Sequence, residues 1–223
     1  MNKKPLLVGV SFAFLTAASM AQAEGQFYGK LGANVSSSTE VDVTTYSSVY
    51  SAKSGVMPEA TLGYDLGNGF AVELSYQKSG GSLTNVSGIT TGPSGAVTGT
   101  ANLTPTGGDL IFTSTMIKGI YNIPTDTTAI YNPYIGLGLG KTNIKLDKVT
   151  FATNPTPNSI DGSATSMQLT FGNRFKFSQG WFGDVAANYT HIQSASLTNT
   201  NGNTLEFDSS KVTSISFAVG KSF

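Results

Sequence analysis

VTSISFAVGKSF, residues 212–223, sets Thr213, Ile215, Phe217, Val219 and Phe223 on one side of an extended chain. Ser214, Ser216, Ala218, Gly220 and Ser222 fall on the other. A period of two is the signature of a β-strand with one apolar and one small or polar face. Lys221 interrupts the apolar file. So close to a strand end it can sit at a membrane interface, where a charge costs about 0–1 kcal/mol rather than about 2–4 at mid-depth.

The same alternation recurs upstream. In GFAVELSYQ, Phe70, Val72, Leu74 and Tyr76 oppose Ala71, Glu73, Ser75 and Gln77. In MPEATLGYD, Ala60, Leu62 and Tyr64 oppose Glu59, Thr61, Gly63 and Asp65. Only Leu66-Gly67-Asn68-Gly69 separates these two runs, and Asn-Gly between alternating segments predicts a tight hairpin. Further strands are expected at Phe27–Val35, Leu110–Asn122, Pro133–Lys141, Ser166–Phe177 and Trp181–Ile192. The total is eight, most of them near the roughly 9–11 residues that a tilted transmembrane strand requires.

Connection lengths point the same way. The short gaps are Leu66–Gly69, Ile123–Asn132 and Ser178–Gly180, and they alternate with long gaps at Ser36–Val56, Lys78–Asp109, Thr142–Thr165 and Gln193–Lys211. The long ones are rich in Ser, Thr, Asn and Gly, as expected where periplasmic turns face extracellular loops. A soluble sandwich has no reason to sort its connections in this way.

The N-terminus reads as an export signal over residues 1–23, leaving a barrel domain at 24–223. Lys3 and Lys4 begin it, Leu6–Ala18 is apolar, and Ala21-Gln22-Ala23 is a small-residue cleavage site, cut after Ala23. Thirteen basic and thirteen acidic residues balance in the full chain, so losing Lys3 and Lys4 leaves about −2 and no case for nucleic acid. There is no cysteine, which excludes disulfides and thiolate chemistry. Charged residues make up 12%, about half the usual fraction, without a long apolar run after residue 23. Two-faced strands in lipid have that composition.

Hydrocarbon offers no partner to backbone amides, so strands within it must close into a barrel. The fold expected is therefore an all-β, antiparallel, up-and-down transmembrane barrel of about eight strands. Its polar file faces inward, placing Lys30, Glu59, Glu73, Lys118, Arg174, Lys176 and Asp184 in the lumen, with Ile111, Ile117 and Tyr121 toward lipid. Eight strands enclose a lumen that side chains fill, so opposite charges should pair. A turn centred near Gln179 sets Arg174 across from Asp184, and Glu73 with Lys118 is the second expected pair; the alternative is separately hydrated charges. Aromatic residues near strand ends, Tyr28, Tyr64, Tyr121, Trp181, Phe182, Tyr189 and Phe223, suit interfacial girdles.

On these residues the chain resembles the eight-stranded outer-membrane barrels of the OmpA-like, opacity and surface-antigen type, within the porin family. The resemblance is carried by Leu62–Tyr76, by Met116–Pro124 with Asn132–Lys141, and by the terminal strand ending in Phe223. It implies outer-membrane lipid as surroundings. It also implies recognition of Phe223 by the barrel assembly machinery, and a salt-bridged lumen cluster that Lys118, Arg174 and Asp184 resemble; with Glu73, read above as the partner of Lys118, they make the expected lumen charge cluster. Its functional implication is a non-enzymatic scaffold without cofactors, displaying four extracellular loops to a host or other extracellular ligand.

Two rivals follow from the residues. Small inward positions, Gly136, Gly138, Ser216 and Gly220, would suit a narrow channel. His191, Ser194 and Glu206 resemble the equipment of the outer-membrane lipid A deacylases, although two residues separate His191 from Ser194 where that family has one. A single histidine, and acid pairs Glu40 with Asp42 and Glu206 with Asp208 lacking further ligands, do not make a metal site.

Overall fold

The computed structural model describes residues 25–37, 39–43, 48–88, 90–91, 97–99, 102–126, 129–151, 154–199 and 204–223. The expected signal and its cleavage site at Ala23 lie outside the described residues. The strands are β1 (Gln26–Ser36), β2 (Thr39–Val43), β3 (Ser48–Ala52), β4 (Val56–Gly67), β5 (Phe70–Ser87), β6 (Thr90–Thr91), β7 (Val97–Gly99) and β8 (Asn102–Leu103). They continue as β9 (Gly107–Asn122), β10 (Tyr131–Phe151), β11 (Asn154–Lys176), β12 (Trp181–Ile192), β13 (Ala195–Asn199), β14 (Thr204–Phe207) and β15 (Ser210–Ser222).

Eight of these close a ring in which every neighbour is antiparallel. The order is β1, β4, β5, β9, β10, β11, β12, β15 and back to β1. The terminal segment closes it, with Leu31 opposite Val219 and Ala33 opposite Phe217. Backbone groups thus pair strand to strand around the ring, as a lipid environment demands.

Turn chemistry sets the register at one end. Gly67 pairs with Phe70, and the two residues between them, Asn68 and Gly69, have φ of 54° and 84°. Positive φ at both central positions is what a type I′ hairpin requires. Gln179 and Gly180 repeat the pattern with φ of 59° and 78°, which brings Arg174 opposite Asp184.

At the other end the strands run further than their composition suggests. Expected loop segments are largely sheet: β10 and β11 are 21 and 23 residues long, and β2, β3, β13 and β14 occupy much of two other long gaps. Past the level of Ser36 the ring order becomes β2, β3, β5, β9, β10, β11, β13, β14, closing through Phe207 against Val43. Short interruptions between β1 and β2, β3 and β4, β12 and β13, and β14 and β15 mark the change. Here Ser36 Oγ accepts from the Gly80 amide at 3.1 Å and donates to its carbonyl at 3.2 Å. Gly80 has φ of 115°, and a Cβ there would lie 2.0 Å from the Leu110 carbonyl oxygen, so only glycine fits this crossing.

The two stages face their residues oppositely. Toward the turn end, Leu31, Leu62, Leu137, Phe171, Phe217 and Val219 point outward and are exposed. Toward the loop end, Leu110, Phe112, Ile144, Leu146, Ile192, Leu197 and Phe207 fill the interior. The expectation that polar residues line the lumen therefore holds for one stage only. Where water surrounds the wall, apolar side chains gain by turning in. Ile111 accordingly points outward opposite Lys145, beyond the apolar belt to which Ile117 and Tyr121 belong.

Candidate functional site

The lumen of the turn-end stage is a packed ionic cluster. Glu73 on β5 is 1% exposed, and its Oε1 receives Lys30 Nζ at 2.9 Å, Arg174 Nη2 at 2.8 Å and the Tyr28 hydroxyl at 2.8 Å. Asp184 Oδ2 lies 3.4 Å from both Lys30 Nζ and Arg174 Nε, and its Oδ1 accepts from the Tyr134 hydroxyl at 2.9 Å. The Arg174 guanidinium lies 4.6 Å from the Tyr28 ring centre, 4.9 Å from Tyr134 and 5.7 Å from Phe182. Two cations and two anions thus neutralise one another, each also hydrogen-bonded or ring-stacked, which is the condition for burying charge without severe desolvation cost.

The structure brings Arg174 and Asp184 together as the turn register suggests. It does not pair Glu73 with Lys118. The two are opposite in register, yet the Glu73 carboxylate is held by Lys30 and Arg174 from across the lumen. Across so narrow an interior, side chains of distant strands compete with those of the next one. Lys118 is buried beside this cluster, with no carboxylate within ion-pair distance among the described residues. Lys176 shares the inward parity of Arg174 but is exposed, because the wall ends there and its amide donates to the Ile130 carbonyl.

Tyr28 and Phe182, expected in the girdle, stand instead in the lumen at 4% and 6% exposure. They share the parity of Lys30 and Asp184, a rule that outweighs nearness to a strand end. Tyr121, Trp181, Tyr189 and Phe223 do face outward, and Tyr64 packs against Phe27 with ring centres 4.6 Å apart.

The inward glycines are occupied space. A Cβ on Gly136 would meet Ile120 at 2.6 Å, one on Gly172 the Tyr134 ring at 2.2 Å, and one on Gly220 the Phe182 ring at 2.3 Å. They admit large neighbours rather than water. The space left among Lys30, Glu59, Lys118 and Thr170 is about 10 Å³, on the scale of one water. Above it lies a neutral layer: Gln168 donates to Gln77 at 3.2 Å and to Thr190 at 2.8 Å, and Ser114, Thr142 and Ser166 link in steps of 2.8 Å. The apolar core of the outer stage then closes the far end.

The serine, histidine and acid set is spread out. His191 faces outward opposite Lys211, Ser194 lies between β12 and β13, and Glu206 accepts from Ser196 at 2.9 Å on the β13–β14 hairpin. Ser196 is five residues beyond His191, roughly 16 Å of extended chain.

A closed antiparallel ring with an apolar outer belt and an ionic interior defines an integral membrane β-barrel. The chain belongs to the outer membrane protein beta-barrel domain family, whose model matches residues 7–223, and it is a protein of the bacterial outer membrane. Among solved structures it is similar to the outer membrane protein OprG from Pseudomonas aeruginosa, with 17% identity, a TM-score of 0.61, and coverage of 89% of this chain and 96% of that one. It is also similar to a major outer membrane protein from Thermus thermophilus, at 10% identity, TM-score 0.58, 89% and 99% coverage. Neisserial surface protein A gives 15% identity, TM-score 0.55, 88% and 97% coverage. At such identities the likeness is one of fold. None of the curated proteins matches the chain.

Proposed function

We propose that this barrel is a non-enzymatic scaffold that displays its outer loops to an extracellular ligand, a host surface or a neighbouring molecule. The observation that carries the reading is the doubly filled interior, ionic in one stage and apolar in the other. A rigid wall sealed twice is suited to holding loops, not to passing solutes. The rival channel would need both fillings displaced, and the separation of His191 from Glu206 speaks against hydrolysis. Conductance of the purified protein in planar bilayers tests it. No steady open-channel current is expected, and a substantial current abolished by enlarging a lumenal residue would overturn the reading.

Export by a signal cleaved after Ala23 belongs to the same proposal, and the intact mass of the mature protein checks it. Phe223, 76% exposed at the end of β15 with its amide donating to the Phe27 carbonyl at 2.8 Å, is where the assembly machinery would engage. Phe223→Ala should slow machine-assisted insertion while leaving unassisted refolding in detergent nearly unchanged.

A further inference from the structure

The outward file of β11 through the belt runs Met167, Leu169, Phe171, Asn173 and Phe175, so one amide interrupts a series of large apolar side chains. The Cα partners of Asn173 are Pro133 on β10 and Val185 on β12, and Gly183 and Ala187 flank Val185 on the same outward face. Phe171 and Phe175 therefore rise on either side of a low floor made by Pro133, Gly183 and Ala187, with the amide set in it. Beside this floor a groove of about 720 Å³ runs along Phe175, Gly183, Val185 and Phe217. Among the described residues no other strand of the membrane stage places an amide between two large apolar outward residues.

The amide is not spent within the barrel. Asn173 Oδ1 is buried without a hydrogen-bond partner, and among the described residues its Nδ2 donates to none. Its level lies well inside the belt: Arg174 and Asp184 of the lumenal cluster are its neighbours in sequence and pairing, and Phe175, Phe177 and Trp181 lie between it and the turn end. Hydrocarbon supplies neither donor nor acceptor, so in a lone barrel both groups stay unsatisfied.

We propose that this face of β10, β11 and β12 docks a second copy of the chain, the two Asn173 amides hydrogen-bonding to each other across a two-fold axis along the membrane normal. A primary amide is its own complement, since each carries donors and an acceptor, and a residue on a two-fold axis must meet itself. With no bond holding it, the amide can turn about its broad terminal torsion and present both atoms to its mate. Small floor residues let the two walls approach closely. An acyl chain can fill the dip but cannot answer the amide, whereas a barrel of the same sequence brings a matching amide to the same depth. The three strands are consecutive in the ring and share one outward direction. The inference does not depend on the display reading, because a conducting barrel would carry the same face.

Single-molecule photobleaching of the full protein in liposomes, dye-labelled through Thr198→Cys in the outer stage, tests it. Two-step bleaching should rise with the protein-to-lipid ratio. Asn173→Leu should weaken association about tenfold, and Asn173→Gln should largely retain it. Leu62→Ala on β4, diametrically across the ring, should not change it. In the unlabelled protein, a short bismaleimide should link Val185→Cys into dimers and Leu62→Cys much less. Heat-modifiable gel migration confirms that each variant is folded. A wild-type protein monomeric at every ratio, dimers undiminished in folded Asn173→Leu, or cross-linking at Leu62→Cys equal to that at Val185→Cys would overturn the assignment.

Discussion

The two stages of this barrel are built from the same wall and obey opposite rules. In the stage surrounded by acyl chains, Phe217 and Val219 are 52% and 55% exposed while Glu73 and Asp184 are 1% and 3% exposed. In the outer stage Leu110 and Phe112 are fully buried, while Lys145 and Asp147 form an ion pair of 2.9 Å on the surface. Four strands, among them β9 and β10, run through both stages, so the sheet cannot be what decides orientation. The solvent outside decides it. A side chain turns toward whichever medium receives it at lower cost, and the interior takes the remainder.

The sharpest way to break the comparison is to unbalance the buried charges. Glu73→Ala leaves Lys30 and Arg174 facing each other beside one remaining carboxylate, and should destabilise the barrel by about 3–5 kcal/mol, read from urea unfolding in bilayers. Leu110→Ala removes a fully buried side chain from the outer core instead. It should cost about 3 kcal/mol, with faster amide exchange in the outer stage and little change around Glu73.

The same substitution should give different outcomes on the two outer faces. Phe217→Arg sets a charge in the middle of the belt and should cost about 2–3 kcal/mol, whereas exposed Thr198→Arg in the outer stage should shift the unfolding midpoint hardly at all. Smallest of all is the surface pair. The hydrogen bond from Lys145 holds the Asp147 carboxyl below its ordinary range. Any stability it adds is thus present above the carboxyl's unfolded value and lost as pH falls through the lowered one. Both partners are solvated, so Asp147→Asn should leave the acid limb of the pH–stability curve unchanged within error.

The inner stage was legible because alternation in GFAVELSYQ and VTSISFAVGKSF is clean and Asn68-Gly69 leaves one hairpin geometry. The Arg174 and Asp184 contact follows from counting outward from a Ser178–Gly180 turn centred on Gln179. Lys30 as the link between Glu73 and Asp184 does not, since its strand is next to neither of theirs in the ring and the three meet only through a filled lumen. The outer stage has the composition of loop, its strands being dense in Ser, Thr and Asn, as at Ala195–Asn199. One signal was available there. Even parity on β9, from Lys118 back through Met116 and Ser114, leads straight to Phe112 and Leu110, an apolar inward file where a uniform membrane barrel would have none.

Strand β11 crosses the change in surroundings, and the absence of native cysteine allows one spin label at a time along it. Labels at Met167, Phe171 and Phe175 should be reached by oxygen dissolved in lipid, labels at Asp161 and Ser163 by a water-soluble nickel reagent, and labels at Ser166 and Gln168 by neither. Oxygen access at Asp161 equal to that at Phe171, or nickel access at Phe171, would contradict a wall that reverses its faces where the membrane ends.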